Sequence, residues 1–231
     1  MADYSKINTV LFDLDGTLLD SAPDLAQAVN QTLAALGRDT FAEDIVRGWV
    51  GNGANVLLQR ALSGSSEVAN NIDEQELAKA HTLFKQFYKA CLSQKSVLYP
   101  DVRSTLISLK QVGYKLAIVT NKPGVYMQDI LSDYSLSGFF DLVLAGDSLP
   151  VRKPDPAPLL HACETLGSAV EQTLMVGDSK NDILAAKAAN MRVAGLTYGY
   201  NYGEDISLSE PDLVLDNIAE ILNSLQCEVS A

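Results

Sequence analysis

Asp13 and Asp15 stand two residues apart in the pentapeptide Asp13-Leu14-Asp15-Gly16-Thr17, directly after the apolar run Val10-Leu11-Phe12. On an extended chain, residues i and i+2 lean to the same side. Gly16 permits the sharp turn that presents both carboxylates at the end of that strand. Two acids this close repel each other unless a cation or a shared proton relieves them. A pair so placed suits metal-assisted chemistry, with one carboxylate attacking and the other moving protons.

Further polar residues fall at the ends of other apolar runs. Thr120 and Asn121 follow Leu116-Ala117-Ile118-Val119, and Lys153 lies a few residues past the run at 142–146, just before Pro154. Asp178 ends Leu174-Met175-Val176-Gly177 and opens Gly-Asp-Ser-Lys-Asn-Asp at 177–182. In open α/β sheets, ligands bind outside the carboxyl ends of the strands. Singly, each residue has a plain structural reading: Thr120 and Asn121 as turn residues, Lys153 as a solvated lysine, Asp182 as the partner of Ser179 in a capping box. Their recurrence at successive strand ends argues for a shared site. Asp13, Asp15 and Asp178 offer the hard oxygen ligands that suit Mg²⁺. A hydroxyl, an amide and an ammonium from Thr120, Asn121 and Lys153 complete what a transferring phosphoryl group needs.

The elements that must position these groups are short β-rich runs alternating with helical patterns. After the first run come strands expected at 115–120, 142–146, 173–177 and 193–197, with an edge strand at 212–215. Their near-continuous Val, Leu and Ile content suits strands buried on both faces of a parallel sheet. Pro100-Asp101 opens a helix that Gly113 closes, and Asp155-Pro156 opens another that Gly167 closes. The alternation indicates a doubly wound, Rossmann-like α/β fold. The stretch 20–95 interrupts it with helical patterns alone. Ser21 with Asp24, Thr40 with Glu43, and Asp73 with Glu76 each have capping-box spacing. Expected domains are therefore a core of residues 1–19 and 96–231 and an α-helical cap of residues 20–95.

At 231 residues the chain has room for a full core and a smaller domain. A net charge of −12 argues against broad electrostatic binding to nucleic acid or acidic membranes. Cys91, Cys163 and Cys227 lack metal-site spacing and read as reduced thiols of a cytoplasmic protein, with Cys91 in a helix core. His81 and His161 fall within helical patterns and read as structural, and Trp49 reads as a packing anchor. No secretory leader or segment of ~20 apolar residues is expected to engage a membrane.

In this order, Asp-Leu-Asp-Gly-Thr, Thr120, Lys153-Pro154 and Gly-Asp-Ser-x-Asn-Asp resemble the four motifs of the haloacid dehalogenase superfamily. A helical cap inserted after the first motif is also a feature of that family. The resemblance implies a Mg²⁺-dependent hydrolase in which Asp13 is the nucleophile and Asp15 the acid and base. It further implies that Asp13, Asp178 and the main-chain carbonyl of Asp15 hold the metal, that Thr120 and Lys153 hold phosphoryl oxygens, and that Asp182 orders the metal waters or Lys153. A second acid at Asp15 favours phosphoryl transfer over dehalogenation.

Finer features resemble the bacterial phosphoglycolate phosphatase branch: Asp20-Ser21-Ala22-Pro23, Gly51-Asn52-Gly53-Ala54 and the tyrosine-rich 197–203 segment. The loop of Gly51, Asn52 and Gly53 precedes a helix whose amino terminus favours an anion such as a substrate carboxylate, although the same residues also fit an ordinary interhelical turn. The 198–202 loop is assigned no catalytic role. The expected partner is a small phosphorylated metabolite, and the expected assembly is a monomer or small homo-oligomer. Alternatives are a phosphatase for another small ester, a phosphosugar mutase of the β-phosphoglucomutase kind, and a phospho-receiver module, against which the helical insertion and Asp15 argue.

Overall fold

A computed structural model describes residues 4–225. Its centre is a six-stranded parallel sheet in the order β5 (Leu142–Leu144), β4 (Lys115–Val119), β1 (Thr9–Phe12), β6 (Thr173–Gly177), β7 (Arg192–Leu196), β8 (Leu213–Leu215). Among the described residues, β2 (Leu19–Asp20) and β3 (Val97–Leu98) lie outside it, paired antiparallel with each other. The expected strands are all present, with ends within two residues of expectation, and 212–215 is the edge strand.

Alternation along the strands explains why both faces are apolar. Val10, Phe12, Leu116, Ile118, Leu174 and Val176 join one core cluster. Leu11, Ala117, Val119 and Met175 join the other, against Leu159, Ala162, Ile183 and Ala185. The helices flanking the sheet are α5 (Val102–Val112), α6 (Met127–Asp133), α7 (Ala157–Leu166), α8 (Lys180–Ala188) and α9 (Glu220–Ser224). Gly113 and Gly167 cap α5 and α7 at their carboxyl ends. Register does the positioning: Phe12 is level with Ile118 on one side and Val176 on the other. The residues just beyond β1, β4 and β6 therefore emerge side by side, over the central strand from which the sheet is built outward.

Helices α1 (Ala22–Ala35), α2 (Glu43–Arg47), α3 (Gly53–Ser63) and α4 (Glu74–Cys91) form a further helical layer. In it α1 packs on α2, α3 and α4, and α3 packs on α4. Trp49 is buried against Phe41 and Cys91 is buried in α4, both as expected. Cys163 is a buried free thiol, and Cys227 lies outside the described residues. His81 pairs with Asn55 and burial lowers its pKa, in keeping with a structural role. Among the described residues, no helix is long and apolar enough to cross a membrane.

Two of the expected caps are absent and a third is only half a capping box. Ser21 makes no side-chain cap on α1. Its hydroxyl instead donates to Asp15 Oδ1 at 2.5 Å, and Asp24 accepts from Lys95 N, Ser96 N and Ser96 Oγ. Tertiary partners outcompete the local cap, because fully buried Asp24 joins the two chain crossings between the layers. Thr40 and Glu43 form no box: Ala42 is the N-cap residue of α2, and Glu43 pairs with Arg47. Asp73 does cap α4 through Gln75 N and Glu76 N, but Glu76 turns to Arg38. The Ser179–Asp182 capping box on α8 is present.

Asp24 makes the crossing testable. Asp24→Ala orphans the buried N–H and hydroxyl donors of Ser96, each worth roughly 1–3 kcal/mol, and removes the acceptor of the part-buried Lys95 N–H. The variant is expected to unfold at a clearly lower urea concentration, whereas Asp39→Ala on the exposed loop should stay within about 0.5 kcal/mol of the parent.

Candidate active site

The site is built on the carboxyl ends of β1, β4 and β6. Asp13 N donates to Val176 O at 3.0 Å, continuing the sheet pairing by one residue. Its side chain is folded back so that Oδ1 accepts from Leu14 N at 2.7 Å and from Lys153 Nζ at 3.1 Å. Among the described residues no donor reaches Oδ2. Gly16 then turns the chain at φ +88°, and a Cβ there would lie 2.2 Å from Asp178 Oδ2. The glycine serves two ends at once: a left-handed turn, and room for a carboxylate beside it.

Behind Asp13 the polar groups are nearly dry. Lys153 is 2% exposed, and its ammonium donates to Val119 O at 2.6 Å and to Asp182 Oδ1 at 2.6 Å besides Asp13. Its three N–H groups thus have three acceptors, and a phosphoryl oxygen would have to share or replace one of them. Asp182 Oδ2 accepts from Ser179 N and Ser179 Oγ, so Asp182 serves both the cap of α8 and Lys153. Asp178 accepts from Thr17 Oγ1 at 2.7 Å and from Tyr200 N at 2.8 Å. Oxygens of Asp13, Asp178 and Asp182 all lie within 4.8 Å of one another.

Asp15 is held apart from that cluster. Its Oδ1 accepts from Ser21 Oγ and from Lys122 Nζ at 2.8 Å, and Lys122 also reaches Oδ2 at 3.1 Å. Thr120 N donates to Leu144 O, and Thr120 Oγ1 accepts from Lys122 N, so the loop after β4 carries Thr120 and Lys122 on one tight turn. Asn121 Nδ2 bridges Gly51 O at 3.0 Å and Lys153 O at 2.9 Å.

The helical layer closes over this floor at its 51–53 loop. Gly51 O accepts from both Asn121 and Asn181, the latter at 3.2 Å, and Arg152 donates to Asn52 O at 3.4 Å. Gly51 has φ +126°, and a Cβ on it would come within 2.6 Å of the Tyr202 hydroxyl. Below the loop lies a small cavity. Asp13, Asp15, Thr120, Asn121 and Lys122 form its polar wall, with Gly51, Gly53 and apolar side chains of the helical layer opposite. Lys153, Asp178 and Asp182 stand behind Asp13, outside the lining. Asn52 contributes its carbonyl to the loop contacts and does not line the cavity.

The charges do not balance within the protein. Four carboxylates, from Asp13, Asp15, Asp178 and Asp182, face the ammonium groups of Lys122 and Lys153. Burial raises the Asp13 pKa to about 6, with Asp182 and Asp15 adding to the rise against the pull of Lys153. Burial, Asp182 and Asp13 likewise push Asp178 well above the usual carboxylate range. For Lys153 burial acts to lower the pKa, but Asp13 and Asp182 outweigh it and raise the pKa instead. Two uncompensated negative charges on clustered hard oxygens fit one divalent cation. Asp13 Oδ2 and the Asp178 carboxylate, beside the space left at Gly16, are the groups available to hold it.

Three groups of this site were given no part in it from the sequence. Lys122 follows Thr120-Asn121 directly, but a lone lysine after a strand reads as solvated. Ser21 reads as a helix cap. Tyr200 couples Asp178, through its N–H, to Ser21 N and Ala22 N, through its hydroxyl, across a sequence gap too long for any local pattern.

Comparison with known proteins agrees with the geometry. The model of the haloacid dehalogenase-like hydrolase family matches residues 10–196. A phosphoglycolate phosphatase of Colwellia psychrerythraea is 53% identical over 217 residues, covering 94% of this chain and 96% of that protein. One from Vibrio parahaemolyticus is 49% identical over 216 residues, covering 94% and 95%. The crystal structure of a "predicted phosphoglycolate phosphatase" from Haemophilus somnus superposes with a TM-score of 0.90 at 43% identity, covering 95% of this chain and 98% of that one. The four strand-end motifs thus sit in a fold shared along nearly the whole chain, and this protein belongs to the haloacid dehalogenase-like hydrolase family.

Proposed function

We propose that the chain is a Mg²⁺-dependent phosphatase that hydrolyses 2-phosphoglycolate to glycolate and inorganic phosphate, with residues 20–95 acting as a cap over a core of 1–19 and 96–231. The observation that carries the reaction class is the division of labour between two carboxylates on one cavity wall. Asp13 has one oxygen pinned by Leu14 N–H and Lys153 and the other without a protein donor, while Asp15 is paired separately with Ser21 and Lys122. The names of the Colwellia and Vibrio relatives support the substrate.

In this reading an Asp13 oxygen attacks phosphorus as the P–O bond to glycolate breaks, and Asp15 gives its proton to the departing oxygen. Water then attacks the aspartyl-phosphate; Asp15 takes up the water's proton, and the Asp13–phosphorus bond breaks to release phosphate. Asp13, Asp178 and the main-chain carbonyl of Asp15 would hold Mg²⁺, which supplies positive charge against the phosphoryl oxygens. Thr120 and Asn121 border the phosphoryl position from the β4 loop. Lys153 orients Asp13 and lends its charge to the phosphoryl group, and Asp182 fixes Lys153 in turn. The 51–53 loop shields the reacting atoms from bulk water.

Asp13→Asn is expected to lower phosphate release at least ~10³-fold, and Asp15→Asn by ~10²–10⁴-fold. Turnover surviving in Asp13→Asn would refute the nucleophile. A phosphate-release screen over small esters with Mg²⁺ tests the substrate: strong preference for an ester other than 2-phosphoglycolate removes that assignment and spares the reaction class.

Proton linkage tests the cation site independently of turnover. Because the folded-state pKa of Asp13 is raised to about 6, the metal-free fold binds this proton more tightly than the unfolded chain does. The associated cost to stability is absent below about pH 4, grows as pH rises to about 6, and is constant above. Mg²⁺ must displace the same proton. Calorimetry in buffers of different ionisation enthalpy should therefore show proton release on Mg²⁺ binding at pH 6; binding at pH 6 with no proton release would contradict it.

A further inference from the structure

We propose that Lys122 is a specificity-determining residue whose ammonium receives the carboxylate of the substrate; the inference rests on the phosphoglycolate reading above. Three observations meet at this side chain. First, among the described residues Lys122 is the cation in the cavity lining, where the other charged groups are Asp13 and Asp15 and the far wall includes Leu25, Leu57 and Phe84. An acid substrate brings a second negative group into this space, and an apolar wall cannot hold it unpaired.

Second, Lys122 is 4% exposed, and its ammonium lies 5.0 Å from the ring centroid of Tyr88. Burying an ammonium is costly unless it is paired. Burial acts to lower the Lys122 pKa, but Asp15 and Tyr88 outweigh it, so the group remains charged. Asp15 has another donor in Ser21 and retains that contact when Lys122 turns to a ligand.

Third, the position fits the length of the substrate. Asp15 serves the ester oxygen, and the carboxyl carbon of the glycolyl group is two bonds beyond that oxygen. Lys122 Nζ lies 2.8 Å and 3.1 Å from the two Asp15 oxygens, so a group this close to the acid is within its reach. Gly53 and Ala54, at the amino terminus of α3, line the same cavity and add a favourable dipole for an anion there. A neutral ester leaves the ammonium with Asp15 and gains nothing from it.

The test compares kcat/KM for 2-phosphoglycolate and for propyl phosphate, a neutral-tailed ester, in the Mg²⁺-loaded protein and in Lys122→Met. Both esters are expected to lose activity, because Asp15 loses a partner. The acid-to-neutral ratio should fall a further 10- to 100-fold, roughly the worth of one hydrogen bond to a charged group, and chiefly through KM. Should Lys122→Met fail to fold by circular dichroism, Lys122→Gln reads the same ratio. An unchanged ratio, including an equal loss on both esters, overturns the proposal and leaves Lys122 as a positioner of Asp15. A parent protein with no preference for the acid overturns the phosphoglycolate reading and this inference together.

Discussion

The buried ammonium of Lys153 is the interaction on which the rest of the site depends. It joins the end of β4 through Val119 O, the end of β1 through Asp13 and the start of α8 through Asp182. Without it, three carboxylates would share a water-poor space with no internal cation to oppose them. Removing one partner from such a buried set is strongly destabilising, because the remaining charges stay desolvated. The same contact fixes which Asp13 oxygen is occupied and which is left open. Asp182 anchors Lys153 while capping α8, so the helix that follows Asp178 is aligned by the group that aligns Asp13.

Parallel register converts this local chemistry into a site. β1 lies between β4 and β6, and the matched levels of Phe12, Ile118 and Val176 bring residues far apart in sequence onto one rim. The loop after β7 then closes the far side with alternate tyrosines. Tyr198 donates to Thr17 O, Tyr200 reaches Asp178 with its N–H and the start of α1 with its hydroxyl, and Tyr202 receives Asn181. This loop, assigned no catalytic role from sequence, ties the Asp178 carboxylate to the helical layer.

Residues whose chemistry coincides with a strong local pattern were readable from sequence. Continuous apolar runs located the strands; acids and a threonine at their ends, and a lysine just before Pro154, pointed to Asp13, Asp15, Thr120, Asp178 and Lys153. Where a local pattern competes with a distant partner, the pattern misleads. Ser21 and Asp24 have capping-box spacing, but burial at the crossing gives their oxygens better use with Asp15 and Ser96. Strands β2 and β3 are two residues each, too short to show a period. Lys122 was hidden because nothing nearby in sequence says that Tyr88, in α4, will cover it.

The two connections between the layers are fastened to each other. β2 pairs with β3, Leu19 opposite Leu98 and Asp20 opposite Val97, and just beyond them Asp24 grips Lys95 and Ser96. A unit hung on two independent strands of chain could slide, twist or tip. Laced in this way, the two crossings act as one paired ribbon, so the helical layer meets the sheet layer through a single two-stranded connection. The Gly51 carbonyl, which accepts from the side-chain amides of Asn121 after β4 and Asn181 in α8, is a second fastening, so the helical layer is tied to the sheet layer both at its chain crossings and at its 51–53 loop.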